Sequence, residues 1–181
     1  MRVSRSYFVL YMTGCFFTAM PLGSVDALIP FMAHRANTDQ SEYSNIYVII
    51  SLALLAGAIV QKALSMYKLL PKHHIIMLIG SLGIAAFSVI VTLMDSKDTQ
   101  YIVWSLLKIF NYFFMVSLSN SVINASSREE VGMWMAFSHG ASGFGTLFGS
   151  IITQSIGMSM FFIVAAGCLL IVPFLLFKES P

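Results

Sequence analysis

Long apolar runs alternate with short polar breaks, and six of the runs reach the roughly 20 residues that a helix needs to cross a hydrocarbon core. They cover about 6–32, 46–67, 73–94, 101–123, 131–155 and 157–177. The breaks read HRANTDQSEYSN, KLLPKHH, DSKDTQ and NASSREE, with almost nothing between the last two runs. No linker or soluble segment is left over. The pattern predicts one all-α integral membrane domain over 1–181, with six transmembrane helices.

The fifth run is the most patterned. In FSHGASGFGTLFGS, Phe137 to Ser150, a helix of 3.6 residues per turn puts Ser138, Ser142, Gly145 and Gly149 on one face, and Thr153 continues it. Small residues at that spacing let helix backbones approach closely in a bilayer, so this face is expected to pack against another helix. LAGAIV at 55–60 in the second run resembles LFGSII at 147–152 in the fifth. Second and fifth are equivalent positions if the six helices form a 3+3 inverted repeat, an arrangement found in transporters.

Composition agrees with the pattern. The chain is 57% hydrophobic and 10% charged, against roughly 25% charged in soluble domains. A net charge of +2 without a basic run points away from nucleic acid. Cys15 and Cys168 both lie in apolar runs, so neither a disulfide framework nor a metal site is indicated, and no cofactor is expected. The first apolar run, about 26 residues, exceeds the core of a secretory signal and is read as a retained span.

Basic residues near the span ends set the orientation. Arg2, Arg5, Lys68, Lys72, Arg128 and Lys178 fall on one side, Arg35 and Lys97 on the other. Both termini should then face the positive-inside compartment of a plasma or organellar membrane, the mitochondrial inner membrane among them. Tyr7, Tyr47, Tyr67, Tyr101, Trp104 and Trp134 lie near span ends, where interfacial aromatics gather. The glycosylation pattern at Asn124 lands on the inner side and is expected to stay unused.

Candidate chemistry lies with polar residues inside the spans. Asp26, in PLGSVDALIP, is bracketed by Pro21 and Pro30, which remove backbone donors and predict a kinked or broken first helix. A carboxylate at that depth needs a partner or water, which makes it a candidate binding or coupling group, with a structural ion pair or a carboxyl at the outer interface as the alternative. Lys108 falls at nearly the same depth and is its predicted partner, with snorkelling as the alternative. On the fourth span Lys108, Asn111, Tyr112 and Ser119 share one face, and Ser117, Asn120 and Asn124 another. One face could line a cavity while the other binds a helix. His139 is either a protonatable gate or a helix–helix hydrogen bond, and His73 and His74 are expected to be solvated. GASG at 140–143 matches the GxSG motif of rhomboid proteases, but every histidine precedes or adjoins it, so no base is placed for that chemistry and no enzyme is expected.

NSVIN at 120–124, HGASGFGTLFGSI at 139–151 and PLGSVDALIP together resemble the N-terminal half of a major facilitator superfamily transporter, in its fucose-permease-like and sodium-dependent-glucose-transporter-like branches. Relatives often read DTVAN where this chain has NSVIN, and the region 61–74 lacks the family's inner-loop aspartate. The resemblance implies a half-size carrier of a small polar, sugar-like solute, working by alternating access with a second six-helix half. That half would be a second copy or a separate chain, and the first half of a twelve-helix carrier would read the same way. The rival is a non-transporting subunit of a larger membrane complex.

Overall fold

The computed structural model describes residues 5–67 and 71–176, and they are all-helical apart from turns. The order is α1 (Arg5–Arg35), α2 (Gln40–Tyr43), α3 (Ile46–Met66), α4 (His73–Val91), α5 (Lys97–Ala125), α6 (Arg128–Ile156), a 3₁₀ turn (Gly157–Ser159) and α7 (Met160–Leu176). Five stretches among the described residues are long and apolar enough to cross a membrane: Tyr11–Arg35, Gln40–Met66, His73–Val91, Lys97–Asn124 and Arg128–Pro173. The last of them holds both α6 and α7. Of the residues carrying the charge asymmetry, Arg2, Lys68 and Lys178 lie outside the described residues.

Local chemistry explains where the helices start and stop. Ser96 caps α5 by accepting from the Thr99 amide at 3.3 Å. Ser127 and Glu130 form a capping box at the start of α6, the reciprocal arrangement that S-x-x-E spacing permits. Gly157, at φ +57°, ends α6 in a region that favours glycine. The expected break in the first helix is absent: α1 runs through Pro21 and Pro30. Neighbouring helices can hold a proline-containing span together by packing.

Packing gives the relative directions. A Cβ on Gly145 would strike the Phe16 carbonyl and one on Gly149 the Met20 carbonyl, so positions rise together and α1 and α6 run parallel. Against α7 the order inverts: Gly14 lies by Ile171, Phe17 by Gly167 and Ser24 by Met160. Hence α6 and α7 are antiparallel and the chain reverses at Gly157. Helix α4 presses Gly80 and Gly83 onto Phe114 and Phe110 of α5, and Ser81 Oγ donates to the Cys168 carbonyl of α7 at 2.7 Å. Trp104 is fully buried, with its edge on Phe161 and its N–H on Met32 Sδ. It is therefore a core residue and not part of an interfacial belt. His73 and His74 are half-buried in the first turn of α4, where solvation was expected.

The short helix α2 is a piece of order that the polar break did not announce. Tyr43 is buried and donates to Gln100 Oε1 at 2.6 Å, and the Gln100 amide donates to the Met94 carbonyl at 2.9 Å. Lys97 pairs with Glu42, while Arg35 pairs with Asp95 at 2.6 Å and donates to the Thr92 carbonyl at the end of α4. These pairs place Arg35 and Lys97 at the same end of the bundle. Asp39 caps α2, accepting the Ser41 hydroxyl and the Ser41 amide, and those bonds hold its carboxyl below its ordinary value of 3.8. Because the folded value is the lower one, the contribution of the cap is complete above the ordinary value and is lost as pH falls through the folded one. Amide exchange at 40–43, corrected for its intrinsic pH dependence, should therefore keep its protection from pH 7 down to the ordinary carboxylate range and lose it only on further acidification. Asp39→Ala should show the same loss at neutral pH.

Candidate functional site

Helix α6 has two unlike faces. Ser138, Gly145, Gly149 and Thr153 are buried, with the glycines against the α1 backbone, as the small-residue spacing predicts. Ser142, on the same face, is half-buried, and its hydroxyl is enclosed beside the Cys15 thiol of α1. Among the described residues, no histidine is hydrogen-bonded to it. Around the helix, Gly132, His139, Gly140 and Gly143 are exposed, and a Cβ on any of these three glycines would meet nothing within 4 Å. Phe137, Phe144 and Phe148 are exposed as well, and carry the bulk.

Asp26 lies on the open side of α1, beside its seam with α6. Leu22, Asp26, Pro30 and His34, four residues apart, are all exposed and make one stripe along α1. Gly23, beside Leu22, sits against the Thr146 carbonyl, and Gly143 and Ser150 lie one turn to either side of Thr146. The seam between α1 and α6 therefore carries the Asp26 carboxylate on one wall and Gly143 and Ser150 on the other, while His139, seven residues before Thr146, lies toward the far end of the seam.

The predicted Asp26–Lys108 pair is not formed. The ion pairs among the described residues are Arg35–Asp95 and Lys97–Glu42. The depths do match: Trp104 touches Met32 and Asn111 donates to the Thr18 carbonyl, so Lys108 faces the stretch of α1 that contains Asp26. The mismatch is angular. Ser24 and Val25 are buried, while Asp26, one residue on, turns about 100° away to the open side. Nor does Lys108 snorkel: it is 2% exposed, with its ammonium 5.7 Å from the centre of the Trp104 ring. Lys62, near the end of α3, is exposed.

The other polar candidates separate. Asn111 is buried and ties α5 to α1 through the Thr18 carbonyl. Ser117 is buried with an unpartnered hydroxyl, Asn120 is half-buried and Asn124 is exposed at the end of α5. Ser119 donates to the Met115 carbonyl of its own helix at 2.9 Å. Cys15 and Cys168 are buried free thiols, and no cluster of three or more metal-ligating side chains occurs among the described residues. No protein-family model, curated protein or solved structure matches the chain.

Proposed function

We propose that the chain is a six-span half of a secondary transporter, and that with a second half it moves a small polar, sugar-like solute by alternating access. The observation that carries this reading is Asp26: a carboxylate on the open face of a membrane-spanning helix, in no ion pair with a cation of the described residues. Facing lipid, such a group would cost several kcal/mol, so its side of the molecule must meet water or a polar partner. The exposed face of α3, by contrast, is Val48, Leu52, Leu55, Ile59 and Val60, which suits lipid or another helix.

The contact pattern supports a six-span, 3+3 reading. Number α1, α3, α4, α5, α6 and α7 as spans one to six and exchange one with four, two with five, three with six. The contact of α1 with α6 becomes that of α5 with α3, α4 with α5 becomes α7 with α1, and α4 with α7 maps onto itself. These are the largest interhelical contacts in the fold, and the set is closed under the exchange. Gly57 and Gly149, equivalent in the short internal match, obey it too: Gly149 lies on α1, and Gly57 is 3.6 Å, at the Cβ position, from Tyr112 of α5. Inverted repeats of this kind are a property of transporter folds. The resemblance to half of a major facilitator fold rests on this pattern and on the sequence stretches given above.

A second reading, a non-transporting subunit of a larger membrane complex, draws on the open glycines of α6, which suit a permanent helix partner. Native mass spectrometry of the endogenous chain in a mild detergent separates the two. A dimer, or a one-to-one pair with another six-span unit, supports the carrier. Stoichiometric presence in a large assembly of unlike subunits overturns it in favour of the subunit.

A further inference from the structure

Helices α3 and α5 form a groove of about 400 Å³ at the end of the bundle that holds α2. Its walls are Ile49 of α3 and Asp98, Tyr101, Ile102, Ser105 and Leu106 of α5. From Asp98 in the first turn of α5 to Leu106 it runs about 12 Å along the helix, from the end of the span into its apolar stretch. The volume lies within the roughly 300–1,000 Å³ of small-molecule sites. Asp98 and Ile102 are exposed and the other four residues half-buried, so the groove is open to the surroundings.

The lining sorts by chemistry. Ile49, Ile102 and Leu106 are aliphatic, and the polar side chains are left only to accept. Tyr101 spends its O–H on the Glu42 and Tyr43 carbonyls, at 3.3 and 3.2 Å, and Ser105 spends its own on the Tyr101 carbonyl at 2.8 Å. Asp98 belongs to neither ion pair of the described residues, because Lys97 beside it reaches Glu42 and Arg35 reaches Asp95. Asp39 is occupied in capping α2. The start of a helix favours a carboxylate, but that effect leaves the outward oxygens of Asp98 open to a donor. We infer that this groove binds an alkylammonium, a protonated amine on a single aliphatic chain. The ammonium donates to the Asp98 carboxylate at the end of the span, and the chain lies along Ile49, Ile102 and Leu106. A carboxylate amphiphile would meet acceptors alone, and an alcohol would leave the Asp98 charge uncompensated. The site is separate from the seam at Asp26 and does not depend on the carrier reading.

The test uses the full chain in phosphatidylcholine nanodiscs and an octylamine with a diazirine at the end of its chain. Octylamine, octanol and octanoate then compete at matched concentrations in the bilayer. Labelling should saturate, map to Ile49 or to 102–106, and yield to octylamine at least about threefold better than to octanol, while octanoate leaves it unchanged. Asp98→Asn should raise the half-maximal concentration at least about threefold, the scale of one partly exposed charge pair. Leu106→Trp, which fills the deep end of the groove, should remove the labelling. Labelling that does not saturate, equal displacement by octanol and octylamine, or an unchanged half-maximal concentration in Asp98→Asn each overturn the inference. Should Asp98→Asn fail to fold, the three competitors on the wild type still decide. Phosphatidylethanolamine added to the bilayer should leave the labelling in place; if it abolishes it, the occupant is a phospholipid headgroup and the inference falls.

Discussion

Gly145→Leu is expected to separate α1 from α6 and to destabilise the chain more than any other single substitution considered. The Cβ position already lies inside contact distance of the Phe16 backbone carbonyl, and backbone cannot rotate aside as a side chain can. Accommodating leucine means pushing two parallel helices apart along a seam that also contains Gly149–Met20 and Gly23–Thr146. Overpacking of this kind costs about 3 kcal/mol or more, a fall of roughly 10 °C in melting temperature for a chain of this size. Gly143→Leu, two residues earlier on the same helix, is the control. Nothing lies within 4 Å of its Cβ, and the helix gains about 0.8 kcal/mol from losing a glycine, so its melting temperature should hold or rise. Opposite signs at two neighbouring glycines follow from the packing and not from glycine content. Equal losses at both would place the seam elsewhere.

Much of this arrangement could be read from the sequence because bilayer helices obey one strong rule, the length of the apolar run. The run starting near Ile46 ends within a residue of α3, and those at His73 and Val131 fall within a few residues of α4 and α6. The small face of α6 was equally visible, because close backbone approach demands small side chains whatever the partner. What stayed hidden depends on rotation about the helix axis. At 1.5 Å per residue, sequence gives the depth of Asp26 and Lys108, and the depths agree. It does not give which way α1 is turned against α5, since that follows from ridges and grooves contributed by several helices at once. The same limit hid Trp104, whose place near a span end suited an interface but whose face turned to Met32 and Phe161. Helix α2 escaped because its order comes from the Tyr43–Gln100 bond and the Glu42–Lys97 pair, contacts some 55 residues apart in the chain. The capping pattern around Asp39 was the local signal that could have revealed it.

Asp26→Asn is expected to abolish solute uptake while leaving assembly and melting temperature unchanged. The substitution keeps the shape and removes only the charge. Because no cation of the described residues pairs with Asp26, nothing in the fold should register the loss. This is where the two interpretations of a buried-span carboxylate part. Breaking a structural ion pair would cost about 3–5 kcal/mol and would show in the melt first. A carboxylate held open to a polar site would show in transport first, with uptake falling on the order of tenfold or more because the charged contact is lost. Asp26→Glu, which restores the charge one methylene further out, should recover part of the uptake. Leu22→Asn, one turn below on the same exposed stripe, should not mimic the loss. Unchanged uptake in Asp26→Asn would sink the role given to this residue. A large drop in melting temperature without loss of uptake would return Asp26 to the packing charges, and with it the main support for reading the open side of α1 and α6 as a transport site.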